Sequence, residues 1–213
     1  MRIEGVLSSS VHPALLDALA VLFPVDCAGC GAADRAVCDA CRASLAQPVI
    51  HSRTPGGLLV RSAVRYEGTA RALLLALKEN DRTDVAKTLA SLVAPLVDPA
   101  LTLVAVPPSP AAWRRRGYDP VRILVRGRTL RALEVSRETS AQKRLGETER
   151  AHNRAGFLRA TRSLAGLRLA IADDVMTTGS TLDEAARAIR TAGGEAVEAV
   201  TFAATPRYFG HSQ

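Results

Sequence analysis

The alternation of apolar and polar positions divides the chain into helical stripes and short buried runs. From Pro13 to Phe23, the residues Leu15, Leu16, Leu19, Val21 and Leu22 form a loose helical stripe that Pro24 ends. Thr69–Glu79 and Thr83–Val97 predict two further helices, with Leu73, Leu74 and Leu77 inward on the first and Leu89, Leu92, Val93 and Leu96 on the second. Leu58–Tyr66, Leu101–Val106, Leu167–Ala172 and Val197–Ala203 read as strands. The second is a β-branched and leucine run typical of a buried parallel strand, and the third reads as another buried strand. Val121–Leu133 reads as helical, and Ser180–Ala192 as a helix stopped by Gly193-Gly194. Ser136–Arg154, nearly free of large apolar side chains, reads as an exposed loop. Strands alternating with helices predict an α/β fold with a mainly parallel sheet flanked by helices.

Gln47, Pro48, Pro55, Gly56 and Gly57 mark residues 47–57 as a linker. It separates a small N-terminal module, residues 1–46, from the α/β domain at 58–213. A chain of 213 residues suits one domain with a small appendage.

All four cysteines fall in that module as Cys27-x2-Cys30-x7-Cys38-x2-Cys41. Two CxxC pairs bring four thiolates into reach of one tetrahedral Zn²⁺, and Gly29 and Gly31 permit the tight backbone turn of a zinc knuckle. Two disulfides, an iron–sulfur cluster and a redox CxxC are the competing readings. A closed four-cysteine site has no open coordination position, so its zinc would be structural.

Charge changes the picture locally. The net charge is +7, but Pro110–Arg168 holds 15 Lys+Arg against 5 Asp+Glu, which leaves the remainder slightly acidic. Such a block suits phosphates or nucleic acid. Compositional bias is the plainer explanation, since 25 of the 28 basic residues are Arg. At 4% aromatics, none interleaved with the arginines, no stacking platform for single-stranded nucleic acid is visible. No apolar run approaches the roughly 18 residues of a membrane span. The best candidate, Ala14–Val25, is broken by Asp17 and Pro24 and lacks a small-residue cleavage site, so the expected location is cytoplasmic, with no membrane insertion. There is no P-loop lysine motif and no G-x-S-x-G, and the histidines His12, His51, His152 and His211 are scattered.

The most informative stretch runs from Leu169 to Thr181. A buried strand delivers Asp173 and Asp174 at its C-terminal end, and a hydroxyl-rich turn (Thr177, Thr178, Gly179, Ser180, Thr181) opens the next helix. Ligands of parallel α/β sheets bind outside the carboxyl ends of strands, and a helix N-terminus offers free N–H groups to a phosphate. The two acids would repel that phosphate, so they suit ribose hydroxyls, a cationic sugar centre or a metal. The plainer reading makes them turn and capping residues, a role for which one acid suffices.

An apolar strand, two acids and a Thr-Thr-Gly-Ser-Thr loop resemble the signature of the type I phosphoribosyltransferases. Four features together resemble the ComF/GntX-type (competence protein F-like) subfamily: the four cysteines, Val106-Pro-Pro-Ser109 followed by Arg114–Tyr118, the Gln142…Arg150…Asn153…Phe157 segment, and Asp173–Thr181. The resemblance implies a site for 5-phosphoribosyl-1-pyrophosphate (PRPP) with Mg²⁺. Asp173 and Asp174, with Val175 beside them, would hold the ribose hydroxyls, and Thr177–Thr181 would wrap the 5′-phosphate. Pro108 and Ser109 would lie beside the pyrophosphate, which Arg116 (with its neighbours Arg114 and Arg115) and Arg150 would neutralise. Ser136–Arg154 falls where such enzymes carry a lid. The implied activity is transfer of phosphoribosyl to a nitrogen acceptor with pyrophosphate release. The alternatives are PRPP or nucleotide sensing without turnover, and an adaptor in DNA uptake associated with single-stranded DNA or a helicase-like partner. One departure stands out: the subfamily's Arg-Gly-Phe-Asn-Gln is Arg116-Gly117-Tyr118-Asp119-Pro120 here, which removes an amide donor and a backbone N–H.

Overall fold

The computed structural model describes residues 25–33, 35–136 and 156–205. The helical stripe at Pro13–Phe23, nearly all of the Ser136–Arg154 loop, and Arg150 lie outside the described residues.

The first described helix, α1 (Asp39–Ser44), closes the cysteine stretch. Strands β1 (Ile50–Arg53) and β2 (Leu59–Arg65) follow, then α2 (Gly68–Glu79) and α3 (Ala86–Val93), the latter flanked by single 3₁₀ turns. Strand β3 (Thr102–Ala105) leads into α4 (Pro110–Arg116) and α5 (Pro120–Leu124). Next come β4 (Leu133–Val135), β5 (Leu158–Ala160), β6 (Arg168–Met176), α6 (Ser180–Thr191) and β7 (Glu195–Ala204).

Five strands form one sheet in the order β1-β2-β7-β6-β3, parallel except for the edge strand β1. The buried runs explain the centre: Leu169 to Ala172 of β6 and Ala199, Val200, Phe202 and Ala203 of β7 are at most 1% exposed. Alternate side chains enter opposite layers. Ala170, Ala172, Val200 and Phe202 pack with the leucines of α2, α3 and α5, whereas Leu169, Ile171 and Ala199 pack with α6 and the β4–β5 ribbon. The cysteine stretch shares the first of these cores, through Cys27, Val37, Cys41 and Leu45. Within α6, Glu184 is buried because its carboxylate accepts the Gly156 and Leu158 N–H groups (2.8 and 3.1 Å) and pairs with Arg187, which anchors β5 to the helix.

Three expectations change. Residues 50–53, read as linker, form β1 in register with β2. The Pro55-Gly56-Gly57 signal is the hairpin turn, in which Gly57 takes φ +87° and the Gly57 N–H bonds Thr54 O. The helix expected over Val121–Leu133 stops at Leu124. Arg126 and Gly127 at φ 55° and 68° turn the chain, Leu130 bridges to Val104, and Leu133 begins an antiparallel strand with β5. Finally, β6 runs on to Met176, because Val175 and Met176 still pair with Ala203 and Ala204; both acids therefore sit within a strand.

Candidate active site and cysteine cluster

At the carboxyl end of β6, Asp173 and Asp174 present adjacent carboxylates, and the Asp174 N–H bonds the Asp173 carboxylate at 2.8 Å. Burial, then the neighbouring Asp174, pushes the Asp173 carboxyl well above the usual carboxylate range. Lys78 Nζ lies 2.9 Å from Asp174 Oδ2, both side chains largely shielded at 25% and 18% exposure. Sequence reading missed Lys78. It ends an ordinary amphipathic helix, α2, and no local pattern marks it.

What aims Lys78 is the segment after β3. Tyr118 Oη donates to Leu77 O, Arg116 Nε donates to Lys78 O, and Arg115 and Arg116 both pair with Glu79. Basic side chains thus cap the carbonyl end of α2. Arg116, expected at the pyrophosphate, is 8% exposed and committed to that cap. Asp119-Pro120, the departure from the subfamily pattern, has a structural account. The Asp119 carboxylate caps α5 by accepting the Val121 and Arg122 N–H groups at 2.9 and 3.3 Å, and Pro120 occupies the first helical position, where its missing N–H costs nothing. Burial raises the Asp119 carboxyl as well.

The turn after β6 carries the hydroxyls. Gly179, at φ +76°, is the N-cap of α6, and a Cβ there would lie 3.1 Å from Thr54 and Pro55. Thr178 and Ser180 share a hydroxyl–hydroxyl hydrogen bond of 2.8 Å, and Thr177, Thr178 and Ser180 are exposed. The β1–β2 hairpin supports this turn from below: Thr54 Oγ1 donates to Asp183 Oδ1, and the Gly56 N–H donates to Asp183 Oδ2 at 2.9 Å. Thr54 and Asp183 also escaped sequence reading, because their pairing spans the segment taken for a linker. Pro108 and Ser109 lie beyond β3, next in the sheet to β6, and the Ser109 hydroxyl caps α4 through the Ala112 N–H at 3.2 Å.

All four sulfurs lie within 4.8 Å of one another, and Cys30 Sγ and Cys38 Sγ are 3.6 Å apart. Four Zn–S bonds of about 2.3 Å in a tetrahedron place the sulfurs about 3.8 Å apart, so the cluster fits zinc. The Gly29 and Cys38 N–H groups donate to Cys27 Sγ at 3.4 and 3.3 Å. Burial opposes ionisation of Cys27, but these donors outweigh it and lower the thiol to about 6. Burial and the neighbouring thiols push Cys41 up to about 12. A Cβ on Gly29 would stand 2.8 Å from Cys41 Sγ, so the close approach requires glycine there.

Among the described residues, no helix is long and apolar enough to cross a membrane. No curated protein matches the chain. A match to a family model does exist, and it spans the acids and the hydroxyl turn: residues 115–212 match the model of the phosphoribosyl transferase domain.

Proposed function

We propose that the protein binds PRPP at the carboxyl end of β6 and transfers its phosphoribosyl group to a nitrogen acceptor, as the ComF/GntX-type resemblance implies. One observation carries this reading: two adjacent acids, one with its carboxyl pushed up by burial, stand beside a positive-φ glycine that opens a helix under exposed hydroxyls. Asp173, Asp174 and Val175 would hold the ribose, the helix N-terminus with Thr177–Thr181 the 5′-phosphate, and Pro108 and Ser109 would flank the pyrophosphate. The nitrogen lone pair forms the bond to the anomeric carbon, the bond to the pyrophosphate oxygen breaks with its electron pair, and the nitrogen gives up a proton. Positive charge builds on the ring as the leaving group departs, and the Asp174 carboxylate would stabilise it. Mg²⁺, bound with PRPP, would neutralise the pyrophosphate. In this reading residues 1–46 hold a structural zinc at the four cysteines.

Pyrophosphate release from PRPP, assayed over a panel of amines, nucleobases and ammonia, tests the transfer. Acceptor-dependent release that the Asp174→Asn variant lacks is the expected result. PRPP binding with no release across the panel would replace transfer by ligand sensing.

A further inference from the structure

A second recess opens on the outer side of β3, a cleft of about 440 Å³. Neither Asp173, Asp174 nor any residue of the Thr177–Thr181 turn lines it, although Pro108 forms part of its wall. Three arginines line it from three separate elements: Arg114 from α4, Arg122 from α5, and Arg131 from the approach to β4. Among the described residues, none of the three makes a salt bridge, although the Arg122 charge acts on the nearby Asp119 carboxylate, whereas their neighbours Arg115 and Arg116 are both paired to Glu79. Arg122 Nε and Thr129 Oγ1, both from residues lining the cleft, are shut off from solvent without a hydrogen-bond partner. Such orphaned groups are costly, and arginines gathered around one cleft repel one another unless an anion joins them. The acids at the cleft are already engaged: Glu134 with Arg159 at 2.6 Å, and Asp119 with the α5 N–H groups. Trp113 stands at the wall, 49% exposed, with Pro107, Pro110 and Leu130 supplying further apolar surface.

We propose that this cleft binds a small aromatic phosphate, its ring against Trp113 and its phosphate on Arg114, Arg122 and Arg131. The volume suits a mononucleotide-sized ligand, guanidinium forks match phosphate oxygens, and an indole with arginine neighbours is a stacking surface for a planar ring. The cleft shares Pro108 with the proposed pyrophosphate position, and Arg114 was expected there too, but neither acid nor the hydroxyl turn lines it, so loss of both acids separates the two readings.

Trp113 is the chain's single tryptophan, so its fluorescence reports on this cleft alone. The experiment titrates the full-length, zinc-replete protein with adenosine 5′-monophosphate, adenosine and inorganic phosphate. The expected result is saturable quenching by the monophosphate, weaker quenching by adenosine, and competition by inorganic phosphate. Arg114→Glu and Arg131→Glu, both at exposed positions and so expected to melt like the parent, should weaken the monophosphate at least about tenfold, the scale of a lost charged hydrogen bond. The Asp173→Asn/Asp174→Asn variant should bind it as the parent does, whatever becomes of PRPP. Absence of saturable quenching, unchanged affinity in both Glu variants, or loss of binding in the double Asn variant would each overturn the proposal.

Discussion

Asp173 illustrates how a candidate ligand site would be built against stability. Its carboxyl is held above its ordinary value by burial and by Asp174, with Lys78 as the nearby counter-charge. Because the folded-state pKa exceeds the unfolded value of about 3.9, folding takes up a proton between the two, and stability falls as pH rises through that window. The Asp173→Asn variant has no such linkage. It should melt higher than the parent at pH 8, with the advantage shrinking as pH falls toward about 4, while its PRPP affinity is lost. Equal melting temperatures at both pH values would show that the Asp173 carboxylate is accommodated without cost. Lys78, Thr54 and Asp183 act at this same scale, yet no sequence motif marks them, because each acquires its role from a partner far along the chain. The two acids and the Thr-Thr-Gly-Ser-Thr turn were legible for the opposite reason: their spacing is local and their chemistry unusual for a strand end.

Among elements, α6 does two things at once. Its N-terminus carries the hydroxyl turn, and one turn later Glu184 ties it to β5 through two backbone N–H groups and Arg187. Replacing Glu184 with Ala leaves those N–H groups without their acceptor and should cost about 2–3 kcal/mol, measured by denaturant unfolding. The Glu184 carboxyl sits below its usual range: burial raises it, but Arg187 and the backbone donors prevail. Its contribution is therefore complete above about pH 4.3 and is lost as pH falls further, so parent and variant should converge in acid. The buried strands and long amphipathic helices were legible in the sequence because burial on both faces or along one stripe leaves a periodic trace. The ribbon of β4 and β5 was not. Each strand has three residues, too few for a period, and their partners are more than twenty positions apart. The hairpin at Thr54–Leu58 was misread because proline and glycine mark tight turns and linkers alike.

For the whole molecule, the cysteine cluster packs directly into the core of the α/β fold. Cys27, Cys41 and Leu45 pack in one hydrophobic cluster with Leu73 and Leu74 of α2, the helix that carries Lys78 to the acids. Metal binding to such thiols is coupled to folding and to proton release, since Cys41 and its partners must ionise. Chelation of the zinc-loaded protein should lower Tm by at least roughly 10 °C and shift the near-ultraviolet spectrum of the whole chain. A melting curve indifferent to the chelator would mean that the cluster does not support the fold. Among the described residues of the basic block, Arg115 and Arg116 cap α2, Arg159 and Arg168 pair with Glu134 and Glu195, and Arg114, Arg122 and Arg131 line the cleft beside β3 without a salt bridge. Net charge alone could not separate them, since the distinction lies in which guanidinium groups find partners after folding.

The most direct test of the phosphoribosyl site is calorimetric titration of the zinc-loaded protein with PRPP, with and without Mg²⁺, beside the Asp173→Asn/Asp174→Asn variant. Saturable, Mg²⁺-dependent heat at one site per chain, abolished in a variant that still melts cooperatively, is the predicted result. PRPP binding that survives loss of both carboxylates, or no binding by the parent at all, would contradict the account.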